Sequence, residues 1–354
     1  PPRPRAPRRP KTLKPTESAK PPKPNPPPAP RLPPLFAAGP ALGAAAIPLA
    51  AVAAILAGRY EGNAAWSYIV LNARLPQAIT AMLCGSSLAV SGLLLQTAFR
   101  NPLAGPSIFG INSGASLGAA LVLLAFGGGV TIGGATLGGS VAVLAAAFAG
   151  AAAVMLVLLA FAGIVKNNAM LLIVGIMIGY IASSAISLLN FFATEEGVHS
   201  YMLWGLGNFG GVPLSQVPLF ATVTVAGLAW ALLLVKPLDA LLLGEQYAEN
   251  LGVSTLRLRN QLLAVTGLLT ASATAFCGPV AFIGLAVPHM SRMMLATDSH
   301  RHLVPSTVLT GAAIALLCNI ACTLPGENGM IPLNAITPVM GAPVIIYVIT
   351  RRRT

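Results

Sequence analysis

Long apolar runs alternate with short polar connections along most of the chain. Runs of about 18 to 25 residues are long enough to cross a hydrocarbon core of roughly 30 Å as helices. The pattern predicts ten transmembrane helices, at 35–57, 75–98, 106–127, 139–163, 169–193, 215–235, 260–279, 280–297, 304–323 and 333–350. We therefore expect an all-α, multi-pass membrane protein whose membrane domain covers 35–354.

The first 34 residues are a different kind of sequence. They hold 15 of the 30 prolines and nine of the 21 Lys and Arg residues, with few large apolar side chains. Such a segment buries too little apolar surface to offset the entropy of folding. We predict a disordered, basic, Pro-rich tail over 1–34, which is either simply solvated or in contact with anionic lipid headgroups.

Composition and charge support the same class of protein. The chain is 55% hydrophobic and 8% charged, a balance that excludes a soluble domain. Cytoplasmic loops retain Lys and Arg, and an even number of spans puts both termini on one side. With that side in the cytoplasm, only Arg59 and Arg74 of the 21 basic residues lie outside. The net charge of +12 is then a consequence of topology, and we expect membrane lipid, not nucleic acid, as a partner.

Two small clusters could suggest a metal site. Cys318 and Cys322 are four residues apart on one predicted helix face, and His300 and His302 lie near Asp298. A structural metal site needs three or four ligands in register, and neither cluster supplies them. We expect no metal site, and we interpret the cysteines as small core residues and the second cluster as structural or solvated.

Signals for catalysis and for ion coupling are also missing from the sequence. The chain has no Gly-rich phosphate loop ending in Lys and Ser or Thr, no His-Glu-x-x-His and no nucleophile elbow, so we expect no enzymatic activity. Mid-span positions carry essentially none of the ionisable residues that secondary transporters use. Energy for uphill transport would then come from a separate ATP-hydrolysing chain. The alternatives are an ion-coupled secondary transporter or channel without an ATPase partner, and a non-transporting membrane anchor.

A polar, helix-prone island interrupts the apolar pattern at 236–258. Lys236-Pro237 is expected to end the sixth span, and Gly252 is expected to stop a short helix that begins near Glu245. One soluble helix between two spans suits a contact with a motor protein on the aqueous side. An ordinary amphipathic loop lying at the headgroups is the alternative.

An ordered set of motifs resembles one family of membrane proteins. The stretches are Arg74-Leu75-Pro76, Ser91-Gly92-Leu93-Leu94-Leu95-Gln96, Phe99 to Pro106, Gly110 to Ala115, Gly244-Glu245-x-x-Ala248-x-x-Leu251-Gly252, Gly278 to Leu285, Val287 to Arg292 and Gly341-Ala342-Pro343. Each stretch is a weak signal alone, whereas their common order is specific. In these residues the chain resembles the FecCD permease subunits of type II ABC importers for iron-siderophore, haem or vitamin B12 uptake.

The resemblance implies a complete transport complex in the bacterial cytoplasmic (inner) membrane. It implies a homodimer of ten-helix subunits with an inverted internal repeat, two ATP-binding subunits that hold ATP and Mg²⁺, and an extracytoplasmic substrate-binding protein. This chain itself would hold no cofactor. The implied cargo is a metal chelate, with ferric siderophore ranked before haem and cobalamin because siderophore importers are common in the family. The residues that would couple to the ATPase are Gly244, Glu245, Ala248, Leu251 and Gly252.

The resemblance also implies an inner gate. Asn101 and Leu103 would line it where the second span meets the cytoplasm, joined by Asn167 and Asn168 between the fourth and fifth spans. Pro102 removes a backbone donor, so the helix must break at that point. A tight turn with a helix cap, and no gating role, is the alternative interpretation of the same residues.

The translocation path is expected along the fifth span. Ser183, Ser184, Ser187 and Asn190 would offer weakly polar side chains along which a bulky chelate can slide. Interhelical packing is the alternative explanation for such a serine stripe in a membrane helix. On the outer face, Arg74 matches a position that in the family pairs with a carboxylate of the binding protein, which would orient docking.

Overall fold

The computed structural model describes residues 47–132, 135–165, 168–324 and 329–351. The predicted tail at 1–34 and the first part of the span at 35–57 lie outside the described residues. Helices form almost all of the regular structure. In chain order they are α1 (Leu49–Leu56), α2 (Ala64–Ile69), the π-helical turn π1 (Val70–Arg74), α3 (Leu75–Ala98), α4 (Ile111–Ala120), the π-helical turn π2 (Leu121–Ala125), α5 (Ser140–Ile164), α6 (Asn168–Phe192), α7 (Glu195–Gly205), α8 (Val217–Leu233), α9 (Val235–Leu242), α10 (Glu245–Asn250), α11 (Thr255–Cys277), α12 (Ile283–Leu295), α13 (His300–Thr323) and α14 (Leu333–Arg351).

The helical class predicted from the sequence is confirmed. Among the described residues, five helices are long and apolar enough to cross a membrane, and the bent pair α8 and α9 makes a sixth when counted as one span. The segment from π2 to α5 contains one short antiparallel hairpin, β1 (Gly129–Ile132) and β2 (Ala135–Gly138), in which Gly129 pairs with Gly138.

The helix predicted to begin near residue 75 begins 11 residues earlier, at Ala64. It passes through π1 into α3 without a break, so Arg74-Leu75-Pro76 lies inside a helix and does not open one. Pro76 has no amide hydrogen and its ring clashes with the carbonyl four residues before it. The wide π turn directly before Pro76 relieves that clash, which is the physical reason why the proline does not start the span.

The sixth span is predicted to end at Lys236-Pro237, and the break lies two residues earlier. The break comes at Leu234, where the chain bends by 48° between α8 and α9, and both Lys236 and Pro237 lie in the first turn of α9. Proline is tolerated there because the first amides of a helix have no intrahelical acceptor.

Helix α3 is the centre of the fold and packs against α11, α12 and α13. Glycines allow these helix backbones to touch: a Cβ on Gly92 would stand 1.6 Å from the Gly284 carbonyl oxygen, and one on Gly85 would stand 2.3 Å from that of Gly311. In a membrane, where lipid is as apolar as the helices, such close packing is a main source of association.

Contacts between connecting segments define two ends of the helix bundle. At the α9 end, the turn after α3 meets α9 through Arg100 and Leu241, and the start of α11 meets the end of α5 through Arg259 and Val165. At the α7 end, the segment after α7 meets the end of α11, where the Asn208 amide donates to a carbonyl 2.9 Å away. The helices run between these two ends.

Candidate coupling site and translocation path

The polar island folds into two short helices, α9 and α10, with a sharp reversal between them. Gly244 separates the helices at φ +121°, ψ 150°, and Gly252 follows α10 at φ +84°. Both conformations strain a residue that carries a Cβ, and the first is essentially restricted to glycine. The two glycines therefore fix where α10 begins and ends, as the sequence pattern predicted.

Helix α10 rests on the bundle through one small side chain. Ala248 is fully buried, and its carbonyl accepts hydrogen bonds from the amides of Leu251 and Val253 at 3.1 and 3.0 Å. Large apolar side chains in and beside α10 are open: Leu243 before the helix, Tyr247 within it and Leu251 after it are 64%, 55% and 59% exposed. We name these three side chains the outward apolar patch. A patch of this kind on a polar helix is typical of a protein contact.

A cavity of about 420 Å³ at the α7 end and one of about 370 Å³ beside α10 are the largest openings described. The cavity beside α10 is lined by Glu245, Glu249, Thr255 and Arg259 among others. The Thr255 hydroxyl donates to Glu249 at 2.6 Å, and Arg259 donates to the carbonyls of Ala162 and Val165 at the end of α5. A cation on the last carbonyls of a helix complements its dipole.

The predicted inner gate is a tight turn directly after α3. Asn101 Oδ1 accepts from the Leu103 amide at 2.9 Å, and the Asn101 carbonyl accepts from the Ala104 amide at 3.0 Å. The Asn101 side chain thus shapes the turn, as the alternative interpretation proposed, while Leu103 is left exposed. Asn167 lies outside the described residues, as does the Asn168 side chain.

The gate turn is tied to two other elements. Its preceding residue, Arg100, has φ +46° and donates from its guanidinium to the Leu241 carbonyl in α9 at 3.2 Å. On the other side, His289 Nε2 in α12 lies 2.8 Å from the Pro102 carbonyl. The turn therefore contacts both the segment that precedes α10 and a helix of the second half of the chain.

Sequence reasoning missed a buried polar network at the α9 end. His300 is 1% exposed, with its ring Nδ1 2.9 Å from Asp239 Oδ1 and its Nε2 2.8 Å from the Thr97 hydroxyl. The cluster considered for a metal does not converge, because Asp298 instead faces Arg292 at 3.7 Å. Asp239 is a lone carboxylate in an apolar stretch beside Pro237, and that isolation is the signal that could have found it.

The other candidate metal ligands, Cys318 and Cys322, lie in one buried apolar cluster with the remaining two cysteines. The four cysteines, Cys84, Cys277, Cys318 and Cys322, are all buried and unlinked. Cys318 Sγ lies 3.4 Å from Met340 Sδ in α14. Among the described residues, no three His, Cys, Asp or Glu side chains gather around one point.

Helix α6 carries the predicted path residues on an open face. Ser183 and Ser187 are exposed and Asn190 is half-buried. The Ser187 hydroxyl donates to the Ser183 carbonyl in its own helix at 3.0 Å, and that bond uses its one proton within α6. Only 17% of the most apolar part of α6 is buried within the chain.

Arg74 is less accessible than a docking residue is expected to be. It lies in π1 and is 9% exposed. Its neighbour along the helix, Gln77, donates to Asn319 Oδ1 in α13 at 2.8 Å and is part of the bundle.

Comparisons with known proteins agree on one family. The model of the FecCD transport family matches residues 33–351. The chain is 35% identical to the vitamin B12 import system permease protein BtuC of Salmonella arizonae over 279 residues, which cover 78% of this chain and 82% of that protein. It is also 35% identical to BtuC of Escherichia coli over 280 residues, covering 79% of this chain and 83% of that protein.

Solved structures point the same way. One described as an inward-facing conformation of a metal-chelate type ABC transporter is 29% identical, with a TM-score of 0.74, over 82% of this chain and 89% of that chain. PsaBC from Streptococcus pneumoniae, at 13% identity and a TM-score of 0.50 over 84% of this chain and 94% of that chain, is alike in fold only. The chain therefore belongs to the FecCD transport family and is a multi-pass, inner-membrane permease subunit of an ABC importer, whose partners are ATP-binding subunits and a binding protein.

Proposed function

We propose that this permease admits a metal chelate to the cytoplasm when its ATP-binding subunits move the α9–α10 segment. The observation that carries the proposal is the construction of α10, which is seated by buried Ala248 and presents the outward apolar patch of Leu243, Tyr247 and Leu251. ATP and Mg²⁺ belong to the partner subunits in this proposal, and this chain holds neither.

The cargo proposal rests on the relatives. The two BtuC proteins are named for vitamin B12 import, and the similar solved structure is described as of metal-chelate type. Cobalamin is thus the first cargo to test, ahead of ferric siderophores and haem. This order departs from the ranking by family frequency, because relatives at 35% identity are closer evidence than frequency.

Gating follows from the contacts at the α9 end. A displacement of α9 pulls on the Leu241 carbonyl and hence on Arg100, which directly precedes Asn101 and Leu103. We propose that Leu103 closes the path and that Asn101 holds the turn in shape. Asn167 and Asn168 stay predicted members of this gate.

The open face of α6 supports a homodimer around a central path. Two copies facing each other across α6 would enclose Ser183, Ser187 and Asn190 between them. The Ser187 hydroxyl is bonded within the helix, Ser183 is exposed and Asn190 is half-buried, which suits a surface over which cargo passes without tight binding.

We also propose how the chain is oriented in the membrane. We propose ten spans with an inverted repeat, with α9, α10 and both termini in the cytoplasm. The α9 end carries Arg100, Lys236, Arg257 and Arg301, whereas Arg59 lies at the opposite side of the bundle, which supports this orientation. The binding protein would dock at the α7 end near Arg74.

Co-purification tests the coupling proposal. The complex is isolated from its native membrane in mild detergent, and bound proteins and ATPase activity are measured. Gly244→Arg is expected to remove the ATP-binding subunit at least about tenfold, because a side chain at φ +121° costs about 1–3 kcal/mol and displaces α10.

Gly205→Arg is the matched control. Gly205 ends α7 at the other end of the bundle and has open space around its Cβ position, so the ATPase should stay bound. Equal recovery of the ATPase with both variants would overturn the role of α10. Recovery of the chain without any ATPase would overturn the whole proposal.

A further inference from the structure

A buried polar network joins three helices at the α9 end. Asp239 belongs to α9, His300 is the first residue of α13, and Thr97 lies in the last turn of α3. The carboxylate of Asp239 accepts from the His300 backbone amide at 2.6 Å and from the Ser299 hydroxyl at 3.2 Å, in addition to its contact with the His300 ring. These groups are 61 and 203 residues apart in sequence, so the network is purely tertiary.

Asp239 caps a helix to which it does not belong. Ser299 precedes α13 but makes no side-chain cap, and the first amide of α13 is satisfied by Asp239 instead. The unbonded amides at a helix start favour a carboxylate there, both as an acceptor and as a charge. Helix α13 is therefore fastened at its first turn to the segment that leads into α10.

The imidazole of His300 also contacts α3. The His300 ring lies with Nδ1 2.9 Å from Asp239 Oδ1 and Nε2 2.8 Å from the Thr97 hydroxyl, which also donates to the Leu93 carbonyl at 3.0 Å, so both ring nitrogens have a polar partner. His300 and Thr97 are buried and Asp239 is half-buried, and a polar group that loses its partner in such a site is costly. These contacts would carry a displacement of α9 to α3.

The network ends four residues before the gate turn. Arg100 and Asn101 come three and four residues after Thr97. In the same helical turn as Thr97, the Gln96 Oε1 atom accepts from Arg292 of α12 at 2.6 Å. We infer that Asp239, His300 and Thr97 form a positioning link that transmits movement of the α9–α10 segment to the gate turn at Asn101–Leu103. This inference rests on the proposed function and names the residues that carry its motion.

The link can be tested without knowing the cargo. Leu103→Cys provides a reporter thiol on the gate turn, because Leu103 is exposed and all four native cysteines are buried. The full complex with its ATP-binding subunits is reconstituted in nanodiscs. The rate at which a membrane-impermeant maleimide labels the Leu103→Cys reporter is then measured with and without ATP and vanadate.

Thr97→Val and Asp239→Ala are the disrupting variants in this background. The first keeps the volume of Thr97 and removes its hydroxyl, and the second removes the carboxylate. We expect ATP and vanadate to change the labelling rate at least about fivefold with the link intact, and less than about twofold in both variants, while ATPase subunits stay bound.

Conservative variants separate transmission from simple stability. Thr97→Ser keeps the hydroxyl and Asp239→Asn keeps an acceptor for the α13 amide, so both should restore most of the nucleotide response. Thr307→Val is the matched control, because its hydroxyl is buried in α13 without a hydrogen-bond partner among the described residues. It should respond like the reporter alone.

Different outcomes would overturn the link and the proposed importer function. A full nucleotide response in Thr97→Val and Asp239→Ala, with ATPase bound, would overturn the link and leave the importer unchanged. If Asp239→Ala fails to assemble, the isosteric Thr97→Val decides alone. Absence of any ATPase, or of any response in the reporter chain with its link intact, would overturn the proposed function and the link with it.

Discussion

Helices α3 and α6 are similar in length and apolar character, yet they occupy opposite environments. In the most apolar part of the helix that contains α3, 83% of residues are buried within the chain, against 17% for α6. Hydropathy alone therefore identifies a membrane helix without saying whether protein, lipid, a second subunit or a path lies beside it.

Backbone contacts separate the two helices. Gly85 and Gly92 bring α3 into backbone contact with α13 and α12. Helix α6 holds nearly as many small residues, but Ser183 and Ser187 are exposed, as are the large Phe191 and Phe192. Small residues therefore mark a closely packed face only where they meet another backbone, which hydropathy does not show.

The largest expected effect is from one methyl group on α3. Gly92→Ala would place Cβ 1.6 Å from the Gly284 carbonyl oxygen, and we expect about 3 kcal/mol of destabilisation as α3 and α12 are forced apart. Thermal unfolding in detergent measures it. Gly179→Ala in α6 is the control, since its Cβ would meet Ser113 Oγ at an ordinary 3.5 Å; equal effects would remove the distinction between the helices.

A bulky residue on the open face of α6 should act on transport and not on folding. Ser187→Trp is expected to lower uptake about tenfold, equivalent to about 1.4 kcal/mol, by narrowing the proposed path. Proteoliposome uptake of cyanocobalamin, or of a ferric siderophore, measures it beside thermal unfolding. A large loss of thermal stability with unchanged uptake would show that α6 is a packing helix after all.

A smaller effect is expected from a buried hydrogen bond of α3. The hydroxyls of Ser87 and Thr224 of α8 lie 3.2 Å apart and are both buried. Thr224→Val should cost about 0.6 kcal/mol, as interhelical bonds in membranes do, seen as a shift in unfolding. Ser183→Ala on the exposed face of α6 should show no shift. A matching shift there would place Ser183 against another helix.

The smallest effect is expected from Arg74, near the end of the bundle where we propose that the binding protein docks. Arg74 is 9% exposed, so little of its guanidinium can reach a docked partner. We expect Arg74→Ala to weaken binding-protein association about twofold, because a largely inaccessible guanidinium adds little to a charge pair across the interface, where even exposed pairs contribute only about 0.2–1 kcal/mol. Titration of the binding protein against the complex measures it. A loss of tenfold or more would show that Arg74 becomes accessible in the complex.

Much of the fold was readable from the sequence because each span must be apolar over its whole length. The stop of α10 at Gly252 was predicted too, since few residues tolerate a positive φ, whereas the reversal at Gly244 was not predicted. The early start at Ala64 was missed because a π turn can carry a helix past Pro76, and no composition rule detects it. The exact position of the bend at Leu234 was also missed, because no composition rule detects it.

The candidate site also has a part that the sequence predicted and a part that it did not. The exposed residues of α10 were found because they interrupt an apolar pattern. The contact of Asp239 with His300 was not, because it joins residues 61 positions apart and no local pattern relates them. His300 was noticed only with its sequence neighbours His302 and Asp298, which face elsewhere.

The cap that Asp239 gives to α13 has a consequence for biogenesis. During synthesis α9 leaves the ribosome 61 residues before His300, so the acceptor for the first turn of α13 is already in place when that helix is inserted. The reverse is not true: until α13 arrives, Asp239 is a carboxylate without its principal donors beside an apolar bundle. Nascent chains arrested between these two points should therefore be recognised by quality-control proteases more readily than chains arrested just after α13.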